Sequence, residues 1–137
     1  MDLITVGNRL VELCKHGQHK QAIEELYADV VDVHEAMDPA RMPELPEGMY
    51  PNGKQTKDQL LKGSDAFFAM NEIHGGNTEG PFPHGDNQFI CYMSLDCTPK
   101  AGPMAGQRMD MKEACVYTVE DGKITGSKFC YHFPGCE

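Results

Sequence analysis

The first part of the chain carries apolar residues at helical spacing. Between residues 3 and 14 they recur every three to four positions, which predicts an amphipathic helix ending near Gly17. A second short helix is predicted where Ala22, Ile23, Leu26 and Tyr27 form one apolar stripe. Its end is expected to lead directly into the first strand.

A third helix is predicted in the middle of the chain. Thr56 and Gln59 fit a capping box, although residues 63–65 could equally open the main turn. An apolar stripe follows, and Gly75–Gly76 is expected to end the helix. His74 would then lie at the C-terminal end, where a positive charge suits the helix dipole. From a helix end over a pocket mouth, His74 could also contact a ligand.

Alternating apolar and polar residues dominate the rest of the sequence and predict half-buried strands. The predicted strands cover residues 30–37, 77–82, 88–98, 109–119 and 123–133. Asp121–Gly122 predicts a hairpin turn. The proline-rich connection 38–55 is expected to be irregular, either as a lid over a pocket or packed against a second subunit. Helices followed by a strand meander predict one α+β domain over residues 1–137, with the helices on one side of a strongly curved, mostly antiparallel sheet.

Two glutamates interrupt apolar strand faces. Alternation places Glu35 on the face of Val33, and it places Glu113 on the face of Met111 and Tyr117. A carboxylate in such a row is buried, lines a cavity or marks a wrong register, and burial without partners is costly. The pair predicts a polar spot inside an apolar pocket. The alternative is that each glutamate bonds to backbone, tyrosine or water and only specifies the core.

The composition restricts the possible partners. A formal net charge of −9 argues against a nucleic-acid footprint and against an anionic membrane surface. No apolar run reaches the ~20 residues that span a bilayer, and the N-terminus lacks the pattern of a secretory signal, so a cytoplasmic location is expected. The six cysteines form no CxxC pair and are interpreted as small core residues. We expect neither a metal nor a cofactor.

Three phrases in order, at residues 26–31, 63–67 and 117–124, resemble the SnoaL-like branch of the nuclear transport factor 2-like superfamily. The resemblance covers roughly residues 4–133. It implies a cone-shaped domain whose bent sheet wraps a central pocket closed by the helices, commonly as a homodimer through the outer sheet face. Members include polyketide cyclases, ketosteroid isomerases, dehydratases and non-enzymatic binding domains, so the fold does not decide the function.

Ketosteroid isomerase offers the sharpest comparison within that superfamily. By this resemblance Glu35 falls on the position of the carboxylate base, while Leu10 stands where the isomerase has a tyrosine donor. The second, acidic donor would correspond to Ala114 or, with a shift of one residue, to Glu113. Losing one oxyanion donor costs on the order of 10²–10³ in rate, which argues against steroid isomerisation itself.

Two functional hypotheses follow. In the first, the protein holds a small hydrophobic carbonyl compound and acts as an isomerase, cyclase or lyase, with Glu35 and Glu113 as the catalytic pair. The candidate ligand contacts are Tyr117, Tyr131, Met111, Phe67 and His74. In the second, the chain is a non-catalytic ligand-binding or dimerisation module.

Overall fold

Helices and strands cover most of the computed structural model, which describes residues 1–41, 43, 46 and 48–132. The helices are α1 (Leu3–Lys15), α2 (His19–Leu26) and α3 (Lys57–Ala69), and a 3-10 turn covers Pro39–Arg41. The strands are β1 (Tyr27–His34), β2 (Gly53–Thr56), β3 (Asn71–His84), β4 (Gln88–Pro99), β5 (Met109–Glu120) and β6 (Lys123–Cys130). Within the described residues, no helix combines the length and apolar character needed to cross a bilayer.

The strands form one mixed sheet in the order β2-β1-β6-β5-β4-β3. Its neighbours are antiparallel except β1 and β6, which run parallel. Register shifts interrupt the β1–β6, β3–β4 and β5–β6 pairs, and such bulges increase local twist and bend a sheet. The predicted α+β fold with a curved, mostly antiparallel sheet is confirmed.

The predicted caps and turns form where the local sequence specifies them. Asp121 and Gly122 both have positive φ, at 52° and 73°, as a two-residue hairpin turn between twisted strands requires. At the start of α3, the Thr56 side chain accepts from the Gln59 backbone, and the Gln59 side chain accepts from the Thr56 backbone. The capping box therefore opens this helix, rather than residues 63–65.

Several predicted boundaries were wrong because strand pairing prevailed over local periodicity. The first strand begins at Tyr27 rather than Val30, directly after α2. The third helix ends at Ala69, and the stretch predicted to complete it, including Gly75–Gly76, pairs with β4 instead. The chain changes from helix to strand at Asn71, whose side-chain amide donates a hydrogen bond of 2.9 Å to the Phe67 carbonyl in the last turn of α3.

The connection 38–55 is less irregular than predicted, because β2 pairs with β1 at its end. Strand β6 ends at Cys130, short of the predicted 133. Five cysteines are free thiols, and all of these except Cys130 are buried. Cys136 and Phe133, the predicted end of the last strand, lie outside the described residues.

Helices α1 and α2 pack on the inner face of the sheet. Leu10 and Leu26 are fully buried there against strand residues such as Phe89. A bidentate pair joins the two helices, with the Arg9 guanidinium 2.6 and 3.0 Å from the Glu25 carboxylate oxygens. These contacts hold the helices over the concave side of the sheet.

Helix α3 makes an unusually close approach to the segment that follows the 3-10 turn. A Cβ atom placed on Gly63 would lie 2.6 Å from the Gly48 carbonyl oxygen. Met49 and Tyr50, the next residues after Gly48, are buried in a second apolar cluster with Met37. The absence of a side chain at Gly63 therefore lets this segment seat against the helix.

We expect Gly63→Ala to lower the free energy of unfolding by about 1–3 kcal/mol, because the added methyl group meets a backbone oxygen. Alanine's helix propensity, which favours it over glycine by about 1 kcal/mol, works in the opposite direction. Urea unfolding measures the change. Lys62→Ala, at the neighbouring exposed position, serves as the control and should stay within about 0.5 kcal/mol of wild type. Equal or greater stability of Gly63→Ala would contradict the close approach.

Candidate functional site

A cavity of about 780 Å³ lies between the helices and the concave face of the sheet. Side chains from α1, α2, α3 and five of the six strands line it, and most of them are apolar or aromatic. Cavities that hold small organic ligands commonly measure about 300–1,000 Å³, with a few placed polar groups in an apolar wall. The polar groups of this cavity are therefore the ones that indicate how a ligand would be oriented and recognised.

Glu35 enters the cavity from the residue that follows β1. Its backbone N–H donates to the Asn52 side-chain oxygen at 2.9 Å, which fixes the chain where the strand ends. Its carboxyl Oε2 accepts a hydrogen bond of 2.7 Å from the Tyr131 hydroxyl. Tyr131 follows β6, and β6 is the parallel neighbour of β1, so the two side chains emerge side by side.

The pKa of Glu35 is raised to about 8. Burial is the largest cause, because the ionised carboxylate loses its hydration. The hydrogen bond from Tyr131 lowers the pKa, since it favours the charged form, and the nearby Glu113 raises it. Glu35 is therefore mostly protonated at neutral pH and has an appreciable ionised fraction.

Glu113 lies on the inward face of β5, as the alternation predicts. The next residue on β5, Ala114, pairs with Cys130 at the end of β6. Glu113 therefore lies opposite Tyr131, the residue that follows β6. Burial raises the pKa of Glu113, and a side-chain hydrogen bond with Cys115 lowers it. The two carboxyls also interact electrostatically. When one of them ionises, the other is held more firmly in its protonated form.

Tyr117 forms the aromatic end of the cavity. Its side chain is 2% exposed, stacks on Phe89 at 5.1 Å between ring centroids and meets Phe129 edge-on at 6.2 Å. Burial raises the pKa of Tyr117 well above its ordinary value, so the phenol stays protonated. It can donate a hydrogen bond but cannot act as a phenolate base.

The cavity brings together all the candidate site residues except His74. Glu35, Glu113, Tyr117, Tyr131, Met111 and Phe67 all line it. The prediction that His74 closes a helix was wrong: it lies in β3, is exposed, and places its Nε2 2.9 Å from the Thr98 hydroxyl. The strand that begins at Asn71 carries this imidazole away from the cavity wall.

The wall also contains residues outside the candidate list: Met49 and Tyr50, which belong to the connection interpreted as a possible lid, and Ser127, which the sequence analysis missed. Tyr50 meets Phe67 edge-on at 6.2 Å, and together with Met49 it forms part of the cavity wall on the side of the methionine-rich cluster. Ser127 lines the wall from β6. Alternation from Tyr131 back through Phe129 to Ser127 contained this signal. Met42 and Leu45 of the proline-rich connection lie outside the described residues.

Leu10 also lines the cavity, so the wall is apolar at this position of α1. Of the two positions considered for the acidic donor, Glu113 lines the cavity and Ala114 does not. Among the described residues no group of three or more His, Cys, Asp or Glu side chains is arranged to hold a metal ion.

A family model for the SnoaL-like domain matches residues 1–131. The chain belongs to the SnoaL-like family. A solved structure from Mesorhizobium loti, named as a SnoaL-like polyketide cyclase, is 32% identical, and the match covers 96% of this chain and 100% of that one with a TM-score of 0.79. No curated protein sequence gives a significant match.

More distant structures share the fold of this SnoaL-like protein. A Δ5-3-ketosteroid isomerase from a Mycobacterium species is 18% identical over 96% of this chain and 95% of that one, with a TM-score of 0.63. A computationally designed binder of 17-OHP is 16% identical over 96% and 92%, with a TM-score of 0.65. Both an isomerase and a designed binder are thus built on this architecture.

The raised pKa of Glu35 makes stability depend on pH. Because the pKa of Glu35 is higher in the folded than in the unfolded state, folding is favoured while the carboxyl is protonated. This contribution to stability is complete below the unfolded-state pKa near 4.5 and is lost as the pH rises through about 8. We expect Glu35→Gln, which keeps an acceptor for Tyr131, to remove this loss. The free energy of unfolding of the variant, relative to wild type, should be larger at pH 9 than at pH 5.5 by on the order of 2–4 kcal/mol.

Urea unfolding of both proteins at pH 5.5 and pH 9 measures this difference. The control is Glu24→Gln, which neutralises an exposed glutamate on α2 and should change stability equally at the two pH values. If Glu35→Gln also changes stability equally at both, Glu35 is not desolvated.

Proposed function

We propose that this SnoaL-like protein binds a small hydrophobic carbonyl compound and moves a proton on it, as an isomerase, cyclase or lyase does. The observation that carries the proposal is that two half-buried carboxyls, Glu35 and Glu113, line one apolar cavity and interact electrostatically, with Tyr131 bonded to Glu35. Proton abstraction beside a carbonyl needs a base whose pKa lies near the working pH. A pKa of about 8 meets this requirement for Glu35.

In this mechanism the ionised Glu35 takes a proton from the carbon next to the carbonyl. Negative charge then develops on the carbonyl oxygen, and protonated Glu113 donates a hydrogen bond to it. Repulsion between the two carboxyls opposes their simultaneous ionisation, so in this mechanism the proton stays on Glu113 while Glu35 is ionised. Tyr131 orients the base through its 2.7 Å hydrogen bond.

The second candidate function is ligand binding without chemistry. It is favoured by Leu10, which gives the cavity an apolar wall in place of a hydroxyl donor. In that case the two carboxyls would serve as neutral hydrogen-bonding groups. The two functions differ in a single measurable property, the exchange of a ligand proton with solvent.

The test follows deuterium uptake from D₂O at the carbon next to the carbonyl of hydrophobic ketones, a Δ5-3-ketosteroid among them, by proton NMR. We expect Glu35→Gln to slow exchange about 10²–10⁴-fold while ligand affinity stays within a few-fold, since only the proton acceptor is lost. The wild-type rate should rise with pH to a plateau above about 8, because the base acts in its ionised form.

Glu24→Gln serves as the matched surface control and should exchange at the wild-type rate. Unchanged exchange in Glu35→Gln would remove Glu35 as the base. Binding by wild type with no exchange above the uncatalysed rate would decide for the non-catalytic role.

We also propose that two copies of the chain associate through the outer face of the sheet. Phe82 and Tyr92 are 47% and 52% exposed, and their rings lie 5.5 Å apart. On β5, Ala114 pairs with Tyr92 and continues the outward-facing row. Exposed aromatic patches of this kind commonly mark protein contacts.

Tyr92→Glu is expected to shift the protein from dimer to monomer in sedimentation velocity, because it places a charge in the centre of this apolar face. The control is Ile4→Glu, which alters an exposed apolar residue of α1 on the helical side. A monomeric wild type, or a Tyr92→Glu variant that stays dimeric, would contradict the proposed interface.

A further inference from the structure

The two carboxyls of the cavity have neutral or acidic neighbours. The groups that shift the pKa of Glu35 are Tyr131 and Glu113. The side chain that shifts the pKa of Glu113 is the Cys115 thiol. None of these groups carries a positive charge, although buried acids in proteins usually pair with a cation.

Basic residues of the cavity wall do not supply the missing charge. Four of them line the cavity, Lys15, His19, Lys112 and His132. The two lysines and His132 are exposed. Burial lowers the pKa of His19, so its imidazole is uncharged at neutral pH. None of the ion pairs among the described residues includes Glu35 or Glu113.

One oxygen of the Glu35 carboxyl is open to a ligand. Its Oε2 accepts from Tyr131 at 2.7 Å, and its Oε1 accepts no hydrogen bond from the described residues. In that part of the chain, the one side-chain nitrogen or oxygen that is fully buried and unpaired is Ser127 Oγ. Oε1 of the half-buried Glu35 therefore keeps accessible surface, and the residue lines the cavity.

Aromatic rings lie beside the Glu35 carboxyl. Tyr131 bonds to it, and the Tyr50 phenol is close enough to raise the pKa of Tyr131. Phe67 meets Tyr50 edge-on at 6.2 Å, and all three rings line the cavity. The faces of aromatic rings attract ammonium groups within about 6 Å. Unaccompanied acids and aromatic faces together are features that bind an organic cation.

We propose that the cavity binds a lipophilic amine in its protonated form, with the ammonium group between Glu35 and Glu113 and the apolar body against the methionine and aromatic wall. The ammonium group donates to Oε1 of ionised Glu35 and to the carbonyl oxygen of protonated Glu113. Glu35 releases its proton to solvent as the amine binds, and the amine keeps its own. This inference rests on the cavity and its carboxyls and not on the proposed proton transfer.

Ionising Glu35 for this pairing costs little. Its pKa of about 8 leaves about a tenth of the carboxyl ionised at pH 7, which reduces the affinity for a cation only about tenfold at that pH. The net charge of −9 adds a long-range attraction for cations. An anionic ligand would meet repulsion from both sources.

Two matched probes separate charge from shape, 2-(2-naphthyl)ethylamine and 2-(2-naphthyl)ethanol. They share the ring system and the side chain and differ in an amino or a hydroxyl group. The amine, like the lysine side chain, keeps its charge to a pH of about 10. Titration calorimetry of wild type at pH 8 is expected to give an about 10- to 100-fold preference for the amine, as a charge-assisted hydrogen bond does.

Proton release provides a test on the wild-type protein alone. Calorimetry at pH 7 in two buffers of different ionisation enthalpy should give about one proton released per amine bound and none per alcohol, because Glu35 starts mostly protonated. Affinity for the amine should rise about tenfold between pH 6 and pH 7. The neighbouring titratable groups, Glu113 and Tyr131, stay protonated in this range because burial raises the pKa of each.

Variants assign the charge to the cavity. Glu35→Gln should lower the affinity for the amine about 10- to 100-fold, to that of the alcohol, and leave the alcohol within a few-fold. Glu113→Gln, which keeps the ionisable Glu35, is the second variant and should also weaken the amine preferentially. The control Glu24→Gln changes the net charge equally at an exposed position of α2 and should keep the wild-type preference.

The other outcomes would overturn the inference. These are equal affinity of wild type for the two probes, amine binding without proton release, failure of the amine to bind, and an equal loss of preference in Glu24→Gln. Deuterium exchange on ketones reports separately on catalysis. Amine preference without exchange would retain the amine site and remove the catalytic proposal, whereas exchange without amine preference would do the reverse.

Discussion

The burial of two carboxyl groups in an apolar cavity is the constraint on which the rest of this structure depends. Desolvation opposes their ionisation and raises the pKa of both Glu35 and Glu113. The fold limits the cost of this burial by leaving Glu35 protonated up to a pKa of about 8 and by supplying a hydrogen bond from Tyr131. The same features that reduce stability at alkaline pH create a carboxyl group suited to proton transfer near neutrality. In the proposed function, stability and chemistry are therefore coupled through the same two side chains.

The sheet topology makes this arrangement possible. Parallel pairing of β1 with β6, inside an otherwise antiparallel sheet, sets residues 35 and 131 at adjoining strand ends, and the β5–β6 hairpin adds Glu113 opposite Tyr131. The helices close one side of the cavity, and a cluster rich in methionine forms another part of its wall. Methionine side chains adapt to irregular shapes. In the proposed function the polar groups fix the position of the ligand, while the methionines tolerate variation in its outline.

Family membership narrows the function without deciding it. The same architecture supports a ketosteroid isomerase and a designed binder, so the fold supplies a cavity and the side chains in its wall supply the chemistry. In this chain Leu10 contributes an apolar side chain to the wall, and Glu35 and Glu113 contribute carboxyl groups.

Local sequence determined the elements whose signals are short-range. The capping box at Thr56, the Asp121–Gly122 turn and the inward alternation of Glu113 all follow from neighbouring residues, and each is present in the structure. Tertiary structure decided the remainder. Strand pairing with β4 ended α3 at Ala69 and carried His74 out to solvent, although helical periodicity favoured a longer helix. The meeting of Glu35 with Tyr131, 96 positions apart, and the lack of a partner for Ser127 depend on which strands become neighbours. That choice is made by burial across the whole sheet, so no local pattern contains it.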